Sequence, residues 1–177
     1  MSRRRIVSTA ALAAIGCLLA VRPGDRPAPR LLFNTTASAP LGFYLLTPGR
    51  FAKGQLAAVA PPLDLANWMA RRGYLPANVP LLKEVSAIGG QRVCGRGDVL
   101  SIDGAAVARI LPHDRQGRAL PAYQGCRRLD SDEVFLLNRH APNSLDGRYF
   151  GPVSARPVSA RQVIGGARPL WTWQARR

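Results

Sequence analysis

The sequence predicts a mainly β, partly closed antiparallel domain with one short helix, preceded by an N-terminal membrane-anchor helix. Three observations carry this. Seventeen glycines and fifteen prolines are spread along the 177 residues, which leaves few stretches long enough for helices. Apolar residues come in short runs bounded by turn formers, as strands do. Residues 6–21, Ile-Val-Ser-Thr-Ala-Ala-Leu-Ala-Ala-Ile-Gly-Cys-Leu-Leu-Ala-Val, are uncharged and mostly apolar.

As a helix this first run extends about 24 Å. That is short of the roughly 30 Å hydrocarbon core, but flanking arginines can snorkel to the interface. Arg3, Arg4 and Arg5 precede it; Arg22, Arg26 and Arg30 follow, offset by Asp25. The excess before the run places the amino terminus in the cytoplasm. A cleaved signal peptide is the alternative, against which Leu18-Leu-Ala20 lacks an Ala-x-Ala cleavage pattern. Ser2-Arg-Arg-Arg-Ile6 is a weak twin-arginine match. Ala14-Ile-Gly-Cys17 is a poor lipobox, because the apolar run continues past the cysteine. Residues 1–21 are therefore read as a signal-anchor segment. Residues 22–30, with three prolines and one glycine, are a linker that no continuous helix crosses. Residues 31–177 form one domain without a second linker or internal repeat.

Within that domain Gly42–Leu46 reads as a strand, stopped by Thr47-Pro-Gly49. Gln55–Ala60 is the next, stopped by Pro61-Pro62. Asp64–Arg72 is the helix: Asp64 caps its start, Leu65, Trp68 and Met69 share a face, and Gly73 ends it. Pro80–Ile88 is a strand. Asp98–Ile110 is a hairpin turning at Asp103-Gly104 in type I′ geometry. Glu133–Asn138 is a strand, and Gln162–Ile164 and Leu170–Trp173 are two late ones. Short strands at this spacing favour a partly closed β domain.

The formal net charge is +15, of which Arg3, Arg4 and Arg5 carry +3, leaving +12. This favours anionic surfaces, phospholipid or nucleic acid. The chain has no compact basic run with interleaved aromatics, so a solvated basic surface is the simpler reading and nucleic acid is not the expected partner. Cys17 lies in the apolar run. Cys94 and Cys126, two cysteines in an exported domain, read as one disulfide closing a loop of about 32 residues and contributing about 3–4 kcal/mol; two separate buried thiols are the alternative. Neither has a Cys-x-x-Cys partner, which argues against a redox or zinc site. His113 and His140 are isolated, and no metal or cofactor is expected.

Lys83 lies in an otherwise apolar run, Val79-Pro-Leu-Leu-Lys-Glu-Val85. On a strand it shares a face with Leu81 and Val85, while Leu82 and Glu84 take the other. Desolvation lowers a lysine's pKa, and a neutral lysine beside a serine takes the hydroxyl proton and makes an acyl-transfer nucleophile. A surface Lys83–Glu84 pair is the plainer reading, which strand alternation opposes. Ser38 is the candidate nucleophile. It sits in the turn-rich stretch Asn34–Tyr44, where Pro40 and Gly42 hold a tight turn. Thr36 is placed to donate to an oxyanion beside the Ser38 backbone N–H; the alternative is an Asn34-Thr-Thr turn whose hydroxyls bond local backbone. The polar segment Leu137–Pro152 follows a strand, where functional loops concentrate. There Ser144 is placed to bond the Lys83 amine, and Asp146 with Arg148 to fix the loop as an ion pair; the alternative is an ordinary loop with an Asp-Gly turn.

The order of three motifs resembles the type I signal peptidase clan: Ser38-Ala-Pro40, then Leu82-Lys-Glu-Val85 followed by Gly89-Gly90, then Asn138-Arg139 with Asn143-Ser144, Asp146 and Arg148-Tyr-Phe-Gly151. The stretches Asn34-Thr-Thr-x-Ser38-x-Pro-Leu-Gly-x-Tyr44 and Ser144-x-Asp-Gly-Arg-Tyr-Phe-Gly-Pro152, with the Trp171-Thr-Trp173 ending, resemble more closely its conjugal-transfer branch, the TraF-type peptidases. The resemblance covers nearly all of the chain after residue 30. It implies a Ser-Lys dyad with Ser38 as nucleophile and Lys83 as general base, Thr36 at the oxyanion hole, and Ser144, Asp146 and Arg148 in support. It further implies a mostly β catalytic domain anchored in the bacterial inner membrane and facing the periplasm. TraF-type enzymes process a pilin subunit for a type IV secretion apparatus, and some join the trimmed ends into a ring. Glu84 departs from the clan, which usually places arginine after the lysine. A carboxylate facing the same pocket would raise the lysine's pKa; strand alternation turns it away. The expectation is thus a serine endopeptidase acting on a pilin-type protein precursor. The alternatives are a general signal peptidase cutting secretory precursors and a non-catalytic periplasmic binding or scaffold subunit.

Overall fold

Antiparallel pairing organises nearly every element of the chain. The computed structural model describes residues 31–47, 52–155 and 163–173; the expected anchor with Cys17, the linker, the Pro48-Gly49 stop and Gln162 lie outside them. In order come β1 (Leu31–Asn34), β2 (Leu41–Thr47), β3 (Leu56–Val59), α1 (Leu63–Arg71), β4 (Leu81–Ile88), β5 (Arg92–Arg96), β6 (Val99–Ile102), β7 (Ala105–Arg109), β8 (Gly125–Arg128), β9 (Glu133–Leu136), α2 (Gly147–Phe150), β10 (Val153–Ser154) and β11 (Val163–Trp173). A seven-stranded sheet has the order β1-β2-β11-β3-β4-β9-β10, and a four-stranded sheet the order β7-β6-β5-β8. Among the described residues no helix is long and apolar enough to cross a membrane.

Where the sequence suggests two late strands, the structure has one of 11 residues, β11, inserted between β2 and β3. Pro169 lacks an N–H and interrupts the pattern, yet the strand continues past it with a register shift between Pro169 and Trp171. Four strands carry no clear sequence signal. In β5 and β8, Arg92-Val-Cys-Gly-Arg96 and Gly125-Cys-Arg-Arg128 mix arginine and glycine, and pairing partners decide their state. Cys94 stands directly opposite Cys126, the Cα atoms 4.1 Å apart, and the two are joined as the disulfide. β1 and the two-residue β10 are short edge strands.

The helix α1 also differs at its start. Pro62 occupies the cap position and no side chain caps the helix. The extended backbone of Pro62 lets its carbonyl accept from Ala66 N at 2.8 Å, so Asp64 falls inside the first turn, where its charge still suits the helix dipole. Ala66 and Met69 are buried, Leu65 and Trp68 half-buried. Gly73, at φ +67°, ends the helix. The β6–β7 hairpin turns at Asp103 (φ +49°) and Gly104 (φ +86°), both left-handed as a type I′ turn requires.

Strand β4 joins the core layers. Leu82 packs with Ala39, Tyr44, Leu46, Ala58 and Ala167. Val85 packs with Ala57, Val59, Val134, Leu136 and Val153. Ala87 joins Val93, Leu100, Phe135, Leu137 and Tyr149 below the smaller sheet. At the β1-β2-β11 end of the large sheet, aromatics remain exposed: Phe33 at 49%, Trp171 at 69% and Trp173 at 41%. The Phe33 centroid is 6.2 Å from that of Trp173, and the two tryptophans are 5.4 Å apart.

Candidate active site

Three segments converge on one amine. The first is the turn between β1 and β2. The buried Asn34 side chain organises it from within: its Nδ2 donates to the carbonyls of Thr36, Ala39 and Pro40 at 2.9, 3.1 and 3.0 Å. Its Oδ1 accepts from Thr36 N at 3.1 Å and from Thr36 Oγ1 at 2.9 Å. Tyr44 reaches back from β2, its hydroxyl donating to Pro40 O at 2.7 Å. Ser38 is held at the turn's apex, half-buried, with its Oγ 3.2 Å from Thr36 Oγ1. Thr36 has a single hydroxyl hydrogen, and that hydrogen points to Asn34; donating to an oxyanion requires it to turn.

The second segment is β4. Lys83 is paired opposite Ala57 of β3 and is only 4% exposed. Its Nζ lies 3.1 Å from Ser38 Oγ and 2.9 Å from Ser144 Oγ, so its hydrogen-bond partners are two hydroxyls and not a carboxylate. Burial lowers its pKa from 10.5 to about 8; the charge of Asp146 pulls it up and that of Arg148 pushes it down. Glu84, next in sequence, accepts from Arg139 Nη2 at 3.2 Å. Strand alternation thus turns it away, as expected, and it plays no part in the shift.

The third segment is the loop 137–148. Arg148 is 1% and Asp146 0% exposed. The guanidinium grips the carboxylate with Nε–Oδ1 at 2.8 Å and Nη2–Oδ2 at 2.9 Å. The same side chain donates to the carbonyls of Ala141, Pro142 and Ser144 at 2.9, 2.8 and 3.0 Å, so the loop is wrapped around one cation. A planar five-donor group suits this role where lysine would not. Asp146 also receives Asn138 N through Oδ2 at 3.1 Å, and its Oδ1 caps α2 by accepting from Arg148 N at 3.3 Å. This fastening places the buried Ser144 hydroxyl against Lys83.

Of the residues singled out in the sequence, Thr36, Ser38, Lys83 and Ser144 form one continuous hydrogen-bonded cluster. Asp146 and Arg148 lie behind it as the ion pair, and Cys94 and Cys126 lie apart in the smaller sheet. Two residues of the site were given no role by sequence reasoning. Asn34 was visible only as part of a local turn, although Asn two residues before Thr is an Asx-turn signal. Asn138 belongs to the third motif, but its contacts run to Ser38, Leu82 and Glu84, which no local pattern reveals. Chemically, the arrangement offers an amine that is uncharged in mildly alkaline solution beside a serine hydroxyl.

The family model described as signal peptidase, peptidase S26, matches residues 5–171. The chain is similar to a plasmid transfer protein TraF of Escherichia coli, with 31% identity over 185 residues covering 98% of this chain and 100% of the relative. It is also similar to a probable conjugal transfer protein TraF of Sinorhizobium fredii (strain NBRC 101917 / NGR234), with 35% identity over 180 residues covering 94% of this chain and 88% of the relative. Among solved structures, a signal peptidase I from Enterococcus faecalis V583 matches 68% of this chain and 98% of its own, with a TM-score of 0.39 and 19% identity, a resemblance too slight to add to the sequence matches.

Proposed function

The chain belongs to the signal peptidase S26 family, and on that footing we propose that it is a membrane-anchored serine endopeptidase that processes a pilin-type precursor for conjugative transfer. The observation that carries this is the 3.1 Å approach of Lys83 Nζ to Ser38 Oγ, with the amine buried and its pKa lowered to about 8. The conjugative role is supported by the relatives, named as plasmid or conjugal transfer proteins.

β4 is flanked by β3 and β9, and Asn138 takes the remaining backbone groups of Leu82 and Glu84, so an extended substrate does not add as a strand beside Lys83 and meets the site at the Ser38 turn instead. Ser38 Oγ attacks the scissile carbonyl carbon while Lys83 Nζ takes its proton. The Ser38 N–H and a turned Thr36 hydroxyl stabilise the oxyanion. The resulting ammonium protonates the leaving nitrogen, and an acyl-enzyme remains. Water then gives a linear product; the amino terminus of the same substrate gives a ring, one water lighter. Ser144 holds the amine in register throughout.

The disulfide fits an oxidising compartment, which supports a periplasm-facing domain at the inner membrane. The exposed Phe33, Trp171 and Trp173 lie at the end of the sheet whose edge strand, β1, begins one linker after the apolar run at residues 6–21. Tryptophan prefers the bilayer interface, so this end supports contact with the lipid surface.

The test is incubation of the full chain with candidate pilin precursors, read by product mass. A cut that disappears in both Ser38→Ala and Lys83→Ala supports the proposal, and normal processing by either variant overturns it. Cutting of secretory precursors but not of pilin would favour the general signal peptidase. Failure of an acylating inhibitor to label Ser38 would leave a non-catalytic scaffold subunit.

A further inference from the structure

Asn34 and Tyr44 hold the Ser38 turn to its own hairpin. A different residue ties that turn to the rest of the site. Asn138, just past β9, is 6% exposed, and its carboxamide reaches two distant pieces of main chain. Nδ2 donates to Ser38 O at 2.6 Å, one hundred residues away in sequence, and to Leu82 O at 3.2 Å. Oδ1 accepts from Glu84 N at 2.9 Å. Leu82 and Glu84 flank Lys83.

A neighbouring strand would supply these same groups to β4, an acceptor for one N–H and a donor for the carbonyl two residues earlier. β9 pairs with β4 as far as Leu136 opposite Val85, and Leu137 N still bonds Glu84 O at 2.9 Å. Beyond that point the chain leaves the sheet, and the Asn138 side chain takes the place of the next peptide group. Its remaining donor capacity crosses to Ser38. The residue is itself anchored, since its N–H donates to Asp146 Oδ2. A carboxamide is suited to this because it offers acceptor and donors on one rigid plane; aspartate would offer no donor and leucine neither.

We propose that Asn138 is a positioning residue that sets the separation of Ser38 Oγ from Lys83 Nζ, its side chain acting as a peptide-group substitute that fastens the nucleophile's turn to the strand of the base. This rests on the reading of Ser38 and Lys83 as nucleophile and general base. Misplacement of reacting groups by an ångström costs on the order of 100-fold in rate. The charged groups that face Lys83 are Asp146 and Arg148 of the loop; Glu84 of its own strand is turned to Arg139.

The experiment is acetylation of Ser38 in the full chain by p-nitrophenyl acetate between pH 6 and 10. It is read by peptide mass and expressed per folded molecule from a cooperative melt. Asn138→Leu is expected to lower the high-pH rate on the order of 100-fold. Asn138→Asp, which loses the donor and adds a negative charge beside β4, is expected in addition to move the pH midpoint upward. A role confined to folding would lower the melt and leave the rate per folded molecule and its midpoint unchanged, and that result overturns the proposal. Should Asn138→Leu not fold, Asn138→Ser carries the same test. If the unaltered protein shows no Ser38 adduct that depends on Lys83, the dyad reading fails and the proposal with it. If that adduct forms and the Asn138 variants match it in rate and midpoint, the proposal alone fails.

Discussion

Lys83 Nζ stands 3.1 Å from Ser38 Oγ although forty-five positions separate the residues, and a second hydroxyl, that of Ser144, holds the same nitrogen from the other side at 2.9 Å. An amine bonded to two hydroxyls and removed from water has little to stabilise its charge. Its lowered pKa follows from that placement.

The first prediction concerns rate. With the Lys83 pKa at about 8, the uncharged fraction rises about tenfold between pH 7 and pH 9. Acyl-enzyme formation should rise by a similar factor and then level off. A single-turnover pH profile of precursor cleavage checks this; a flat or acid-favouring profile contradicts it.

The second concerns stability. The unfolded amine stays protonated up to its ordinary value of 10.5, whereas the folded one releases its proton near 8. Between those values the unfolded chain binds more protons, so the folded state gains stability as pH rises. The cost of burying the charged amine is full below about 8 and absent above 10.5. The stability of Lys83→Met relative to the parent should therefore decline by about 3 kcal/mol from pH 7 to pH 11. Paired urea titrations at the two pH values measure it, and a difference that does not change with pH would mean the amine is hydrated.

The third concerns the loop. Arg148→Met removes both the charge and the fork that bonds Asp146 and three carbonyls. Breaking a buried pair while leaving its partner charged costs about 3–5 kcal/mol. The expected outcome is an unfolding free energy lowered by that amount in urea titration. An unfolding free energy within about 1 kcal/mol of the parent would mean that the loop does not depend on this cation.

The fourth concerns the disulfide. Cys94 and Cys126 close a loop with a sequence separation of 32, so Cys94→Ala with Cys126→Ala should destabilise the domain by about 3–4 kcal/mol. The smaller sheet should open first, seen as faster amide exchange in β5 and β8 than in β4.

The fifth concerns the exposed aromatic end of the large sheet. Of the three tryptophans, Trp171 and Trp173 lie there, and Trp68 lies in α1, half-buried against Tyr74. In vesicles containing brominated phospholipid, a protein retaining only Trp171 and Trp173 should be quenched more strongly than one retaining only Trp68. Equal quenching would remove the lipid contact.

Part of this molecule was legible one segment at a time. The strands β2, β3, β4 and β9 follow from short apolar runs between turn formers. The Asp103-Gly104 turn follows from the left-handed backbone those two residues tolerate. The opposite facing of Lys83 and Glu84 follows from the two-residue period of a strand. These depend on neighbours in sequence, which is why they can be read there. The arginine-bearing β5 and β8 escaped, because each is a strand only through the partner beside it. The cap lies two residues before Asp64, because Pro62 and not the acid starts the helix.

The sequence by itself determined which residues are chemically equipped: a lysine among apolar neighbours, a serine on a tight turn, an acid and an arginine two positions apart, two cysteines for one bridge. Tertiary structure alone decided that Ser38, Lys83 and Ser144 meet, that one long strand separates β2 from β3, and that the Asn138 side chain completes the edge of β4. The reason is that hydrogen bonding and desolvation act across space. The Lys83 pKa, the hold on Ser38 and the wrapping of Arg148 each arise from groups that only the folded chain brings within about 3 Å.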